Sequence, residues 1–324
     1  MASELMLLLA PQPGPLAVAV IADLAIGDPA YRLHPVRLIG DALVNMEKWL
    51  RAIGAEGYGG GCVLFVSLAV VSVATVALAL WAALAASGSL AWIVHTFVLY
   101  SLLALGDLLR HVWRVEEALA CKDLSAARQA VAMLVGRDTD GMDAAACRRA
   151  AIESMSESLT DGFVSPLFWY GLAGLPGLVI FKVVSTMDSM VGFKTARYFR
   201  FGWCGARLDD AMNYIPARLA CVLIAAVAVA VPACSPRKAW AVAVTQHAVL
   251  PSPNSGWSEA AMAGAIQRRL IGPLWNHGEL VTDIWLGDPH DPPAGTRDDL
   301  TRAVTVTLGG GLVAALLVEG FLLC

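Results

Sequence analysis

Between Cys62 and Ser87 the chain carries no charged residue. A helix of about 20 apolar residues is long enough to cross the hydrocarbon of a bilayer, and this run is not isolated. Ser89–Gly106 follows the short turn Ser87-Gly88-Ser89 and carries only His95, while Ala303–Cys324 holds one acid, Glu319. Leu219–Cys234 is uncharged but somewhat short, and Leu5–Ile26 is apolar but broken by Pro11, Pro13 and Pro15. The length of that first segment and its lack of a basic start argue against a cleaved signal peptide. With 57% hydrophobic and 15% charged residues and a mean hydropathy of +0.63, the chain falls outside the ordinary soluble range. The expected fold is all-α: a polytopic integral membrane protein with about four to six membrane-inserted helices. Residues 1–324 are expected to form one membrane-embedded catalytic domain, with 107–161 and 235–302 as polar helical insertions.

The polar regions between the apolar runs are too rich to be mere connectors. Gly27–Gly61 holds Asp28, Arg32, His34, Arg37, Lys48 and Arg51. In Asp107–Asp161, apolar residues recur at helical spacing over Leu108–Leu119 and Leu124–Val135. A loop at Gly136–Gly141 breaks the pattern, and Asp143 is placed to cap the helix that resumes. Ser235–Arg302 contains the loop Pro251–Glu259 and ends in Gly287-Asp288-Pro289, Pro292-Pro293 and Gly295; strand signals are nearly absent. The hairpin Cys62–Gly106 returns the chain to its starting side, so the first two polar regions share a face that their Arg and Lys mark as cytoplasmic. Phe163–Val184, interrupted by Pro166 and by Gly171–Gly177, reads as a re-entrant or half-inserted segment, because broken backbone at membrane depth must be protein-covered or line a cavity. A net charge of −4 without a basic block excludes nucleic acid as a partner. The seven cysteines are scattered, without a Cys-x-x-Cys pair, and read as small apolar fillers.

Several constellations could carry chemistry. Glu153, Glu157 and Asp161 are spaced four apart and would stack on one helix face. The stripe is either a solvated acidic face paired with Arg149 or a site for Mg²⁺, which takes carboxylate oxygens together with phosphate. Asp209, Asp210 and Asn213 form an Asp-Asp-x-x-Asn cluster before an apolar run, read either as a Mg²⁺-diphosphate site or as interfacial capping with Arg218 snorkelling. Lys194, Arg197 and Arg200 recur every three residues near Asp188, as headgroup contacts or as an anion clamp. Ser252-Pro253-Asn254-Ser255-Gly256 leads into a helix whose first backbone N–H groups, capped by Asn254 or Ser255, would make an anion site. No P-loop sequence is present. His34 stands between Arg32 and Arg37, and Asp23 lies inside an apolar stretch, where an ionisable group is a functional candidate.

Taken in order, these stretches resemble the CobD/CbiB family of cobalamin biosynthesis proteins, the membrane-bound adenosylcobinamide(-phosphate) synthases. The matching residues are Gly27-Asp28-Pro29, Arg32-Leu33-His34-Pro35-Val36, Val135-Gly136-Arg137-Asp138-Thr139, Glu153, Asp161-Gly162 and Thr186-Met187-Asp188-Ser189-Met190-Val191-Gly192, then Leu208-Asp209-Asp210, Asn213–Leu219 and Ser252–Gly264. The chain departs from the family pattern at Ser156-Glu157-Ser158, Ser185-Thr186 and Leu250-Pro251.

The resemblance implies a multi-pass enzyme of the cell (inner) membrane, with the lipid bilayer and other membrane-bound corrinoid-pathway enzymes as partners. It implies ATP-dependent ligation of adenosylcobyric acid to aminopropanol or aminopropanol O-phosphate, with ATP and Mg²⁺ as cofactors. On this expectation Glu153, Glu157, Asp161, Asp209 and Asp210 hold Mg²⁺. Asp28, Arg32, Arg137, Lys194, Arg197, Asn213, Arg218, Ser252, Asn254 and Ser255 bind substrate or phosphate, and Glu157, Asp188, Glu259 and His34 are the catalytic candidates. The competing classes are an ion-coupled membrane transporter, which buried acids beside broken segments also fit, and a membrane-bound sensor without activity.

Overall fold

The computed structural model describes residues 2–28, 31–276 and 278–324; Pro29 of the Gly27-Asp28-Pro29 motif lies outside the described residues. The chain is helical almost throughout. In order it forms α1 (Ala2–Leu9), α2 (Pro13–Ile26), α3 (Pro35–Ala52), α4 (Tyr58–Ala86), α5 (Gly88–Tyr100), α6 (Leu105–Ala120), α7 (Leu124–Ala132) and α8 (Ala144–Leu159). A π turn at Thr160–Val164 leads to α9 (Ser165–Val191), followed by α10 (Trp203–Met212), α11 (Tyr214–Val227), α12 (Pro236–Gln246), α13 (Ser255–Ile266) and α14 (Arg297–Leu323). Among the described residues, five helical stretches are long and apolar enough to cross a membrane, or six if α10 and α11 make one broken span. Only 22% of the apolar window in α4 is buried against protein, and Val66, Val70, Val71 and Leu78 point outward, as suits a lipid-facing helix.

Two compact units interleave along the sequence: Met1–Ala104 with Ser165–Asn213 and Ala315–Cys324, and Leu105–Val164 with Tyr214–Ala314. In the first, Pro35 opens α3 at a position where its missing N–H costs nothing, and His34 Nδ1 accepts from Val36 N at 3.3 Å. The apolar face of α3 (Ile39, Leu43, Leu50) packs with Leu64 and Leu68 of α4 and with Val183, Met187 and Val191 of α9. The Pro-rich break between α1 and α2 is served by side chains from other helices. His95 Nδ1 donates to Leu8 O at 2.7 Å, its Nε2 lies 2.8 Å from Tyr170 Oη, and that hydroxyl accepts from Gln12 N at 2.9 Å. Such partners let a broken apolar helix persist where water is scarce. The break within α9 falls at Ala173 and Gly174. Gly174 has φ +62°, and a Cβ there would sit 2.0 Å from Leu9 O, so glycine is required twice over. Helix continues on both sides, and the buried Gly174 is covered by protein, as a break at membrane depth requires.

The second unit contains both segments expected as polar insertions. Asp123 and Asp143 cap α7 and α8 by accepting from Ala126 N (2.9 Å) and Ala146 N (2.7 Å), the latter as expected. At its centre lies α13, buried at Gly256 and at every residue from Ser258 to Ile266. Small residues allow this: a Cβ on Gly256 would stand 2.1 Å from His247 O, and one on Gly264 2.3 Å from Lys238 O.

Residues 235–302 are not wholly helical, which corrects the expectation. β1 (Leu270–Ile271) pairs antiparallel with β4 (Trp285–Leu286), and β2 (Leu274–Asn276) with β3 (Glu279–Thr282). Strands this short cannot display a two-residue alternation. What holds the inner ribbon is distant in sequence: Asp138 N donates to Trp275 O at 3.1 Å, and Asp138 Oδ2 accepts from Gly278 N at 2.8 Å.

Gly264→Ala is expected to cost about 1–3 kcal/mol by overpacking α13 against α12. Gly59→Ala, with open space around it, should change stability by less than about 0.5 kcal/mol. Thermal unfolding of both variants in detergent micelles checks the contrast.

Candidate functional site

In the second unit one helix end, one helix face and one loop bring four expected site residues together. Glu259, in the second turn of α13, is 3% exposed, and its Oε2 has no hydrogen-bond partner. Burial, with Glu157 and Glu153 of α8 adding like charge, pushes its carboxyl well above the ordinary carboxylate range. That upward shift favours the protonated carboxyl over the ionised one. Arg137, from the loop before α8, donates to both Glu153 oxygens at 3.1 and 2.8 Å, a bidentate pair. The Nε of Arg137 is buried and without a partner. The cluster thus combines an acid whose pKa burial raises, a paired carboxylate and a guanidinium Nε without a partner.

Two readings of the acidic stripe need correction. The π turn begins at Thr160 and widens the helix, so Asp161 leaves the four-residue register of Glu153 and Glu157. Glu153 makes its ion pair with Arg137, and Arg149 adds only a longer-range Coulombic attraction to it. Arg149 Nε donates to Ile271 O at 2.9 Å and its guanidinium lies 5.1 Å from the Trp285 ring, which holds it on the ribbon.

The anion site expected at Asn254–Gly256 is also changed. Asn254 is the N-cap residue of α13, but its side chain makes no capping bond. Instead Ser252 Oγ accepts from Asn254 N at 3.2 Å and from Ser255 N at 3.3 Å, so those two N–H groups already have an acceptor. The cause is local: Pro253 folds Ser252 back over the helix start. Arg218 does not simply snorkel. Its guanidinium lies 3.5 Å from the Tyr214 ring centre and 4.9 Å from that of Trp257, whose other neighbour is the His247 ring at 4.0 Å.

In the first unit the remaining candidates separate into local groups. Asn213 is buried, accepts from Ser165 Oγ at 2.5 Å and donates to Asp209 Oδ2 at 3.0 Å, pinning the start of α9 to the end of α10. Asp210 lies 3.4 Å from Arg207. His34 Nδ1 caps α3 by accepting from Val36 N, while its Nε2 lies 2.8 Å from Asp28 Oδ1 without hydrogen-bond geometry. Lys194, Arg197 and Arg200 are all exposed in the connection between α9 and α10. Arg197 joins Arg51 on the buried Glu47 at 3.0 and 2.8 Å. Burial alone would raise that carboxyl, but the two arginines outweigh it and hold it below the ordinary range. Asp188 packs against Gly192, where a Cβ would meet its Oδ1 at 2.2 Å. Arg32 lines a cleft with residues of α3 and α9.

Among the described residues no three His, Cys, Asp or Glu side chains make a ready metal cage. Mg²⁺ does not require one, since it is commonly held by one or two carboxylates plus substrate phosphates. Sequence reasoning missed Glu47 and Lys182. Lys182 was legible in principle as the lone charge inside Phe163–Val184; Glu47 had a local partner in Arg51 one turn on, but its second partner, Arg197, lies far along the chain.

The family model described as CobD/Cbib protein matches residues 16–307. A Cobalamin biosynthesis protein CobD of Pelobacter propionicus is 40% identical over 280 residues, covering 86% of this chain and 86% of the relative. One of Rhizobium meliloti is 40% identical over 307 residues (90% and 91%), and one of Rhodobacter capsulatus 40% over 326 residues (93% and 97%). No solved structure matches the chain.

Glu259→Gln should reveal the retained proton. The unfolded carboxyl ionises near pH 4.3, while the folded one holds its proton to higher pH, so wild-type stability falls as pH rises through that window. The glutamine variant, which has nothing to ionise, should gain on wild type as pH rises above the unfolded-state value and hold a constant advantage above the folded-state value. Denaturation midpoints at several pH values test this; a pH-independent difference would mean that Glu259 ionises normally.

Proposed function

The chain belongs to the CobD/Cbib family of cobalamin biosynthesis proteins, and we propose that it is a multi-pass enzyme of the cell (inner) membrane performing ATP-dependent amide ligation. The substrates are adenosylcobyric acid and aminopropanol or its O-phosphate, and the product is adenosylcobinamide or its phosphate. The observation that carries this reading is the cluster of the buried Glu259 with the half-buried Glu153 and Arg137 and the exposed Glu157, where one acid oxygen and one guanidinium Nε are buried without a hydrogen bond.

A carboxylate expels oxide too poorly to acylate an amine, so its oxygen must first be phosphorylated. The amine then attacks the acyl carbon, the C–N bond forms and the C–O bond to phosphate breaks. The nitrogen must shed a proton and the departing phosphate carries new charge. Glu157 is the carboxylate offered to the amine proton. Glu259, already neutral, can donate a hydrogen bond to a developing oxyanion without the cost of a second buried negative charge. Arg137, oriented by its bidentate grip on Glu153, presents Nε to a phosphate or carboxylate oxygen. These orphaned polar atoms fit a phosphate-bearing co-substrate. Glu153, Glu157 and Asp161 are the carboxylates of the second unit open to Mg²⁺, and Asp209 and Asp210 those of the first. When bound, the cation would neutralise phosphoryl charge. Asp28, Lys194, Arg197, Arg218, Ser252, Asn254 and Ser255 remain candidates for substrate contact, and Asp188 and His34 for catalysis, with less local support than the cluster.

Ion-coupled transport keeps one observation in its favour, the fully buried Asp23 inside α2. Purified protein supplied with ATP, Mg²⁺, adenosylcobyric acid and aminopropanol phosphate distinguishes the two. Ligation predicts nucleotide hydrolysis in step with corrinoid amidation, with Glu157→Gln lowering kcat by about 10²–10⁴-fold. ATP consumption without amide product, or full activity in the variant, contradicts the proposal.

A further inference from the structure

In the first unit a cleft of about 660 Å³ opens between α3 and α9. Its volume lies within the range of small-molecule sites, roughly 300–1,000 Å³. The charged groups on its walls are Arg32, Arg37 and Lys182 against one carboxylate, Asp41. Two stretches far apart in sequence build it: Arg32 to Val44 on one side, and Lys182 to Met190 on the other. Gly40 permits the approach, since a Cβ there already lies 3.4 Å from Met190 Sδ.

The cations of this unit differ in how they are matched, and Lys48, Lys194 and Arg200, which lie outside the cleft, have no ion pair among the described residues. Arg51, Arg197 and Arg207 each have a carboxylate within ion-pair distance. Arg32 and Arg37 have no hydrogen bond or ion pair among the described residues, although Asp41 lies one turn from Arg37 and lines the same cleft. The hydroxyls divide as well. Thr186 donates to Lys182 O at 2.7 Å and Ser189 to Ser185 O at 2.9 Å, while Ser185 keeps an uncommitted hydroxyl proton among the described residues. Two forked guanidinium groups, an ammonium and a hydroxyl around one concavity make the donor set of a phosphate site.

We propose that the cleft between α3 and α9 binds a phosphate-bearing small molecule through Arg32, Arg37 and Lys182. Which phosphate compound fills it rests on the ligase reading; the anion site itself rests on the walls of the cleft. The shared chemistry is a phosphate oxyanion, which a soluble phosphate compound and an anionic lipid headgroup both offer.

The test is calorimetric titration of inorganic pyrophosphate into the full chain in phosphatidylcholine nanodiscs. Each arginine-to-glutamine change should weaken binding roughly tenfold, and Arg32→Gln/Arg37→Gln on the order of a hundredfold. Lys48→Gln, an exposed charge on α3 outside the cleft, should leave binding unchanged, and Arg32→Lys/Arg37→Lys should recover part of the loss. Lys182→Gln, on the opposite wall, serves if the double variant does not fold. Discs containing phosphatidylglycerol identify the source: loss of pyrophosphate binding there assigns the site to a headgroup, and unchanged binding to a soluble compound. Equal affinity in wild type and the cleft variants, or no binding by wild type, overturns the proposal. Phosphate binding without ligation would defeat only the ligase reading, and ligation with cleft variants that bind normally would defeat only this one.

Discussion

Everything that gives the second unit its chemistry follows from burying a carboxyl on a helix with no exposed face. α13 can lie at the centre because its residues are small: the glycines at 256 and 264 let it press onto backbone carbonyls. A helix so placed has no water to offer an acid, so Glu259 must either find a cation or keep its proton. Arg137 is already committed to Glu153, and Glu157 adds repulsion. The result is a neutral acid held beside negative charge, the kind of separation that assigns different proton roles to adjacent carboxyls.

The contrast between satisfied and unsatisfied charge runs through both units. Buried Glu116 is matched by Arg148, Asp299 by Arg268 and Arg302, and Glu47 by Arg51 and Arg197. These are complete local networks whose partial removal would be costly, and they leave nothing over for a ligand. Among the described residues, atoms left over include Glu259 Oε2 and Arg137 Nε in one unit and the guanidinium groups of Arg32 and Arg37 in the other. Incoming phosphates and carboxylates would find partners there without displacing an existing pair.

The apolar skeleton was legible because membrane helices carry their own signal: an uncharged run such as Cys62–Ser87 can do little else, and α4 covers most of it. Asp143 was legible as a cap because capping is local. The ribbons at 270–286 were not, since their strands are two to four residues long and their anchor, Asp138, lies far upstream. The candidate site was half legible. Glu157 and Glu259 could be picked out by type and motif, but the π turn that displaces Asp161 has no sequence mark. Nor could spacing say that Ser252 would occupy the N–H groups before α13, or that Arg197 would be spent on Glu47. Those outcomes depend on side chains meeting across the fold.

The central claim is that Glu259 is a protonated acid in the folded protein at neutral pH. Infrared difference spectroscopy of wild type against Glu259→Gln measures this directly, through the carbonyl stretch of a protonated carboxyl. The account predicts that this band is present in the wild-type protein at neutral pH, absent from the variant, and shifted by ¹³C labelling of glutamate. A difference spectrum containing only carboxylate bands would mean that Glu259 is ionised, and the account of the site would fail with it.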